Sequence, residues 1–214
     1  MVDRFTWFKQ SAYRWTDGKR SIYIDPWGIP DDAPAADVIL WTHSHYDHFD
    51  ESDIRKIAGD DTTFVGPPDV AAKLSGDVVT VHPGETFDAA GVKGETVPAY
   101  NVAPHRQAHP KENGWVGYVI DLGGITHYFS GDTDPLPELE QVRAQVAFLC
   151  VGGDPFTMGP EEAAGLARAI EPEVAVPNHY GYEGGSASDG EAFQKAAAPV
   201  RVELLTPVDD FTLG

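Results

Sequence analysis

The chain's 214 residues suffice for one substantial core and are too few for several, and 42% hydrophobic with 11% aromatic content excludes a disordered or fibrous polymer. A formal net charge of −19, with acids spread from Asp3 to Asp210 and no run of Lys or Arg, describes a solvated acidic surface that repels phosphate backbones and argues against a nucleic-acid partner. The single cysteine, Cys150, excludes an internal disulfide; Met1 to Phe5 has no leader character and no apolar run reaches the ~20 residues of a membrane span, so a cytoplasmic address without a membrane partner is expected.

In chain order, Phe5 to Gln10, Ala12 to Trp15 and Arg20 to Asp25 read as strands, the last two joined through the turn signal Asp17-Gly18. Asp37 to Thr42 is a further short apolar strand, and a row of histidines begins at its C-terminal mouth. Asp50 to Asp53 supplies helix-start acids before Ile54 and Ile57, and Pro67-Pro68-Asp69 starts a second helix running through Leu74. Val78 to Tyr100 returns to strands broken by Gly84, Gly91 and Gly94, and Gly114 to Ser130 gives two strands around Gly123-Gly124.

After Asp132 the pattern is mixed: a strand at Val146 to Val151 that buries Cys150, a helix from Pro160 to Ile170, a strand at Val174 to Val176, a helix from Asp189 to Ala198, and a closing strand near Val200 to Leu205. With no repeat and no linker, residues 1–214 are expected to form a single domain of α/β (α+β) class, two sheets carrying helices on their outer faces.

The chemistry concentrates in His43-Ser44-His45-Tyr46-Asp47-His48. His43 and His45 lie two apart on extended chain, so their imidazoles share a side and reach one ion, while the following turn aims Asp47 and His48 at a second. One such histidine is ordinarily a satisfied surface or core residue; four ligand-type residues in six positions are not.

This cluster, with the apolar strand and Thr42 before it, resembles the second motif of the metallo-β-lactamase superfamily. The resemblance implies a four-layered αββα sandwich and two divalent ions, Zn²⁺ first with Mn²⁺ or Fe²⁺ as alternatives. It implies further that Asp25, ending Ile22-Tyr23-Ile24, orients the first histidines, that Asp132 in Gly131-Asp132-Thr133 bridges both ions, and that His179 in Pro177-Asn178-His179-Tyr180 completes the second. Asp134 beside the bridge reads as a solvent-facing turn acid. His43 and His45 then serve one ion and Asp47, His48 and His179 the other.

The remaining ligand is a histidine between cluster and bridge. Asn101 stands where many members have one, which leaves His109 as the expected ligand and His105 as its rival; His82, before Pro83-Gly84, and His127, inside a strand, read as structural. Pro98 to Asn101, His109-Pro110-Lys111 and Gly114 to Tyr118 resemble the branch holding ascorbate-6-phosphate lactonase-like and uncharacterised hydrolases. His48, where class B β-lactamases place Arg, His45, where flavodiiron oxidoreductases have Glu, and Phe49-Asp50, where glyoxalase II has Gly-Gly, separate this chain from those groups. The interval from Asp132 to His179 is too short for the inserted cap of the nuclease branch.

The expected activity is hydrolysis of a small-molecule ester, lactone or phosphoester by a metal-bound hydroxide, with Asp47 as proton acceptor. Tyr180, Tyr100, Asn101 or His105 would steady developing charge, and Arg106 or Lys111 would hold an anionic substrate group. A non-catalytic metal-binding or sensing module, or a nuclease, is the competing reading.

Overall fold

In the computed structural model, which describes residues 1–208 and 211, two six-stranded sheets follow one another along the chain. The first holds β1 (Phe5–Lys9), β2 (Ala12–Thr16), β3 (Ser21–Ile24), β4 (Val38–Leu40), β5 (Thr63–Gly66) and β6 (Asp77–Thr80), in that order across the sheet. The second holds β7 (Thr86–Ala89), β8 (Val92–Pro98), β9 (Val116–Leu122), β10 (Ile125–Phe129), β11 (Val146–Cys150) and β12 (Val174–Asn178).

Each sheet begins as an antiparallel meander and ends parallel, with β3 to β6 parallel in the first and β10 to β12 in the second. Parallel neighbours need crossover connections, and the chain spends its helices there: α1 (Glu51–Ile57) after β4, α2 (Pro68–Ala71) after β5 and α3 (Pro160–Ile170) after β11. Strands covered on both faces read as uninterrupted apolar runs. Val38-Ile39-Leu40 and Val146-Ala147-Phe148-Leu149-Cys150 are buried at every position, the Cys150 thiol pushed up to about 12 by burial.

The layers follow from what each face buries. Trp7, Ile24, Leu40 and Val65 of the first sheet share one apolar cluster with Tyr118, Phe129, Phe148 and Val176 of the second. On the outer side of the first sheet, Ile39 and Trp41 meet Ile54 and Ile57 of α1 and Val70 of α2. Ala163, Leu166, Ala167 and Ile170, spaced three and four apart on α3, and Phe193 of α4 (Asp189–Ala196) cover the second sheet. The result is the expected α/β arrangement of two sheets flanked by helices.

Local punctuation matches local chemistry. The Asp50 carboxylate accepts the Ser52 and Asp53 N–H groups at 2.7 and 3.2 Å and starts α1, and the Asp17 carboxylate accepts from Lys19 and Arg20 in the turn before β3. Two expectations are corrected. The helix expected through Leu74 is a single turn ending at Ala71, and the strand expected at Val200 to Leu205 is reduced to a parallel bridge between Ala175 and Val202, with Ala175 N–H on Arg201 O at 2.8 Å and Glu203 N–H on Ala175 O at 3.0 Å. Arg201 and Leu204 are exposed, so that segment gains too little apolar burial to extend the sheet. Among the described residues no helix is long and apolar enough to cross a membrane.

His127, on β10, is buried against Phe5 at 5.1 Å between ring centroids, with no hydrogen-bond partner on either ring nitrogen. Burial lowers its pKa from 6.5 to about 4. The unfolded chain therefore binds the proton first as pH falls, so the contribution of neutral His127 to stability is present above pH 6.5 and is lost progressively toward pH 4. His127→Phe is expected to flatten that part of the denaturant-midpoint profile, and an unchanged slope between wild type and variant would remove the assignment.

Candidate metal centre

Four strand ends deliver the site. Asp25 follows β3, the His43 to His48 turn follows β4, Asp132 follows β10 and His179 follows β12, all at the C-terminal mouths of parallel strands where the two sheets meet. Three cross-sheet hydrogen bonds close the seam: Val116 N–H to Thr42 O at 3.1 Å, Tyr118 Oη to Trp41 O at 2.7 Å, and His179 N–H to Gln10 O at 3.3 Å. Gly131 turns at φ 62°, and a Cβ there would come within 3.1 Å of Thr42 Cβ, so the β10 exit passes the β4 exit only as glycine.

Asp132 is the hub. Its Oδ2 lies 2.8 Å from His179 Nε2, 3.2 Å from His109 Nε2, 3.5 Å from His48 Nε2 and 3.8 Å from His43 Nε2. His43 Nε2 is 3.1 Å from His45 Nδ1, and Asp47 Oδ2 is 3.4 Å from His179 Nε2 and 3.7 Å from His48 Nε2. Ligand atoms therefore converge in three overlapping sets: His43, His45 and His109; His43, His48 and Asp132; and Asp47, His48 and His179.

A ring of supporting contacts fixes these groups. Asp25 takes the Thr42 N–H at 2.8 Å on one oxygen and, on the other, the Thr42 hydroxyl at 2.8 Å and His48 Nδ1 at 2.9 Å, which aims His48 Nε2 into the site. Asn101 Oδ1 receives both the backbone N–H and ring Nδ1 of His109 at 3.1 Å, setting that imidazole's direction. Gln10 Nε2 donates to Asp47 Oδ2 at 3.1 Å, and Asp69 Oδ2 accepts the Ser44 hydroxyl at 2.6 Å and Trp115 Nε1 at 2.9 Å, so the Trp115 ring packs on His43 and His45.

Buried charge accounts for the protonation pattern. Burial, together with neighbouring imidazoles, lowers the His43 and His45 pKa values, leaving neutral rings with a free lone pair. Burial works against charge on His48 and Asp132 too, yet Asp132, Asp47 and Asp25 together hold His48 well above its ordinary range, and His179 and His48 hold Asp132 well below its own. His179 is raised to about 9, Asp132 outweighing burial, and Asp47 falls to about 2 as His48 and His179 outweigh its burial. His48 Nε2, His109 Nε2 and Asp132 Oδ1 nonetheless remain buried without a hydrogen-bond partner. Nitrogen and carboxylate donors left open toward one another suit a divalent cation.

The seven residues named from sequence as ligands, His43, His45, Asp47, His48, His109, Asp132 and His179, are thus gathered at one place. His105 is not; it is exposed, with Nε2 on Asp154 at 3.0 Å. His82 is exposed in a turn and His127 is in the core.

Other expectations change. Asp134 is buried rather than solvent-facing: Oδ2 accepts the Val102 and Ala103 N–H groups at 2.7 Å each, and Oδ1 takes Arg106 Nη1 at 2.9 Å. Arg106 is consequently unavailable to a substrate anion, its guanidinium shared among Asp134, Asp154 and Glu162. Lys111 lies over the Tyr100 ring, and the Tyr100 hydroxyl is engaged by Glu138 at 2.8 Å. Tyr180 is buried between Trp7 and Phe211, its hydroxyl beside Gly190 and away from the pocket.

The pocket above Asp132, about 210 Å³, is lined instead by Tyr46, Ala108, Phe156 and Glu183 around His45, Asp47, His109 and His179. Gln10, Asp69, Tyr46 and Glu183 escaped sequence reasoning. Only Asp69, an acid just after a Pro-Pro helix start, carried a local signal, and that signal concerned capping.

The fold and the convergent site define a class, that of the metallo-β-lactamase-fold proteins. A family model described as a beta-lactamase superfamily domain matches residues 4–179, and the chain belongs to that superfamily, as an enzyme of its UPF0173 metal-dependent hydrolase group. It is 32% identical over 225 residues to such a protein from Methanoculleus marisnigri, covering 99% of this chain and 97% of the relative. A Thermus thermophilus relative is 34% identical over 207 residues, covering 90% of each. A solved structure from Parabacteroides distasonis, described as a metal-dependent hydrolase, superposes with a TM-score of 0.84 at 31% identity, over 94% of this chain and 91% of that one.

Gly152 holds the last strand end in place: a Cβ there would overlap the His179 carbonyl oxygen and come within 3.2 Å of Nδ1. Gly152→Ala is expected to cost about 1–3 kcal/mol in denaturant unfolding and to displace the His179 ring. An unperturbed His179 imidazole resonance together with wild-type stability would contradict this packing.

Proposed function

We propose that this chain is a single-domain, cytoplasmic hydrolase holding two divalent ions, Zn²⁺ ahead of Mn²⁺ or Fe²⁺, and acting on a small-molecule ester, lactone or phosphoester. The observation that carries the reading is the convergence of four imidazole Nε2 atoms within 3.8 Å of one Asp132 oxygen, with His48 Nε2, His109 Nε2 and Asp132 Oδ1 otherwise unpartnered. His43, His45 and His109 would hold one ion and Asp47, His48 and His179 the other, with Asp132 between them. When bound, such ions supply Lewis acidity that polarises a carbonyl or phosphoryl oxygen and acidifies water.

The chain's own residues do the rest. Asp47, steadied by Gln10 at 3.1 Å, faces the pocket and is the carboxylate placed to accept the nucleophile's proton. Asp25 keeps His48 in the tautomer that turns Nε2 inward, and Asn101 does the same for His109. Tyr46, and not Tyr180, is the tyrosine on the pocket wall, where it meets the substrate at the mouth. Phe156 and Ala108 exclude bulk water from the apolar side.

His109 and His105 separate the reading from its rivals. His109→Ala is expected to lower bound metal from about two ions per chain to about one and to abolish turnover of generic lactone and phosphodiester substrates, while His105→Ala leaves both unchanged. Equal loss in the two variants, measured by elemental analysis and initial rates, would discard the ligand assignment. Asn101→Ala is expected to weaken metal affinity about 10-fold or more without removing a ligand. Protein that carries no metal and cannot be reconstituted would end the hydrolase reading itself.

Protonation sets the pH dependence of loading. In the metal-free protein the surrounding carboxylates raise His179 to about 9 and hold His48 well above its ordinary range, and a metal must displace both protons. Affinity is therefore expected to rise with pH through and beyond neutrality, with net proton release detectable by calorimetry in buffers of different ionisation enthalpy; pH-independent uptake would exclude both His48 and His179 from the shell.

A further inference from the structure

The pocket's floor and its rim differ in character. Below are imidazoles and carboxylates; at the mouth Tyr46, 61% exposed, and Phe156, 39% exposed, offer aromatic surface beside the exposed carboxylate of Glu183. Among the described residues no Lys or Arg lines this pocket. Neighbouring cations are engaged elsewhere: Lys9 sits 4.2 Å from the Trp27 ring centroid and 5.3 Å from that of Tyr182, Arg106 is enclosed by its three carboxylates, and Lys111 lies 4.8 Å over Tyr100.

Glu183 is held in register with the centre. Gln10 Nε2 donates to the Glu183 carbonyl oxygen at 2.9 Å, Gln10 Oε1 accepts the Glu183 N–H at 3.4 Å, and the same Nε2 reaches Asp47 Oδ2 at 3.1 Å. One buried carboxamide thus ties the rim acid to a residue of the floor. Glu183 and Tyr46 line the same pocket mouth, joining acid and aromatic into one surface.

We propose that Glu183, with the faces of Tyr46 and Phe156, is a specificity determinant that selects substrates carrying a positively charged amine on the part remote from the bond cleaved. This rests on the hydrolase reading above. An ammonium group is attracted by the carboxylate and by aromatic faces together, whereas a carboxylate or phosphate at the same position meets Glu183 and the field of a −19 chain with no cation to receive it. Ions held at the floor would polarise the carbonyl or phosphoryl oxygen of the reacting group; the rim sorts the other end of the molecule.

The test uses metal-loaded protein and three hydroxamates of equal length ending in a trimethylammonium, a methyl or a carboxylate group, with binding read by calorimetry, beside the matching esters read by initial rates. The trimethylammonium member is expected to bind roughly 10-fold or more tighter than the carboxylate member at low salt, and the ratio to shrink as salt rises. Glu183→Gln is expected to collapse that ratio and Glu183→Lys to invert it. A ratio near one in wild type, a ratio unmoved by both variants, or no binding of the cationic hydroxamate overturns the proposal. Because binding is read without turnover, charge-ordered binding with no ester cleaved would fail the hydrolase reading and leave the selection standing. Cleavage with no charge order would do the reverse.

Discussion

Three carboxylates, Asp25, Asp47 and Asp132, are buried where the two sheets meet, and an uncompensated buried carboxylate is costly enough that everything around it must supply positive charge or hydrogen bonds. Asp25 is satisfied within the protein by Thr42 and His48. Asp132 is only partly satisfied: one oxygen is crowded by imidazoles and the other has no partner. The neighbouring carboxylates hold His48 and His179 above their ordinary range against burial, while burial and neighbouring imidazoles lower His43 and His45. The same burial that makes this seam costly leaves nitrogen and carboxylate donors grouped so that they could hold a cation.

The fold serves that seam. Each sheet turns parallel on the side where its strand ends contribute donors, so two independent parallel segments, β3 to β6 and β10 to β12, point their C-terminal mouths at one another. The constraint reaches the backbone at the points of closest approach: Gly131 against Thr42, and Gly152 against His179. Asp25 and His179 themselves adopt positive φ, 45° and 54°, conformations that side chains other than glycine occupy at a cost and that the surrounding hydrogen bonds maintain.

Sequence reached most of this because strand ends and ligands are local patterns. Val38 to Leu40 announces a buried strand by its composition, and a dense histidine cluster directly after it names its own chemistry. What sequence could not reach are relations between distant loops. Gln10 lies in a two-residue turn with no glycine or asparagine to mark it, although its carboxamide ties Asp47 to Glu183 across the whole chain. Tyr180, adjacent in sequence to the candidate ligand His179, is turned into the core with Trp7 beyond the left-handed bend at His179 (φ 54°), which strand periodicity does not foretell.

The choice between His109 and His105 shows the same limit at single-residue scale. Both stand in an irregular loop, and no periodicity separates them. Asp134 does: by binding the Val102 and Ala103 amides and the Arg106 guanidinium it fixes the loop's first half with His105 outward, and Asn101 then pairs backbone and side chain with His109 to fold the second half over Asp132. The Asn101 N–H to His109 O contact at 2.7 Å completes that clasp. The asparagine standing where a ligand histidine was expected therefore keeps a part in the site, aiming a histidine eight residues further on, and Asp134, two residues past Asp132, holds the loop that makes the arrangement reachable.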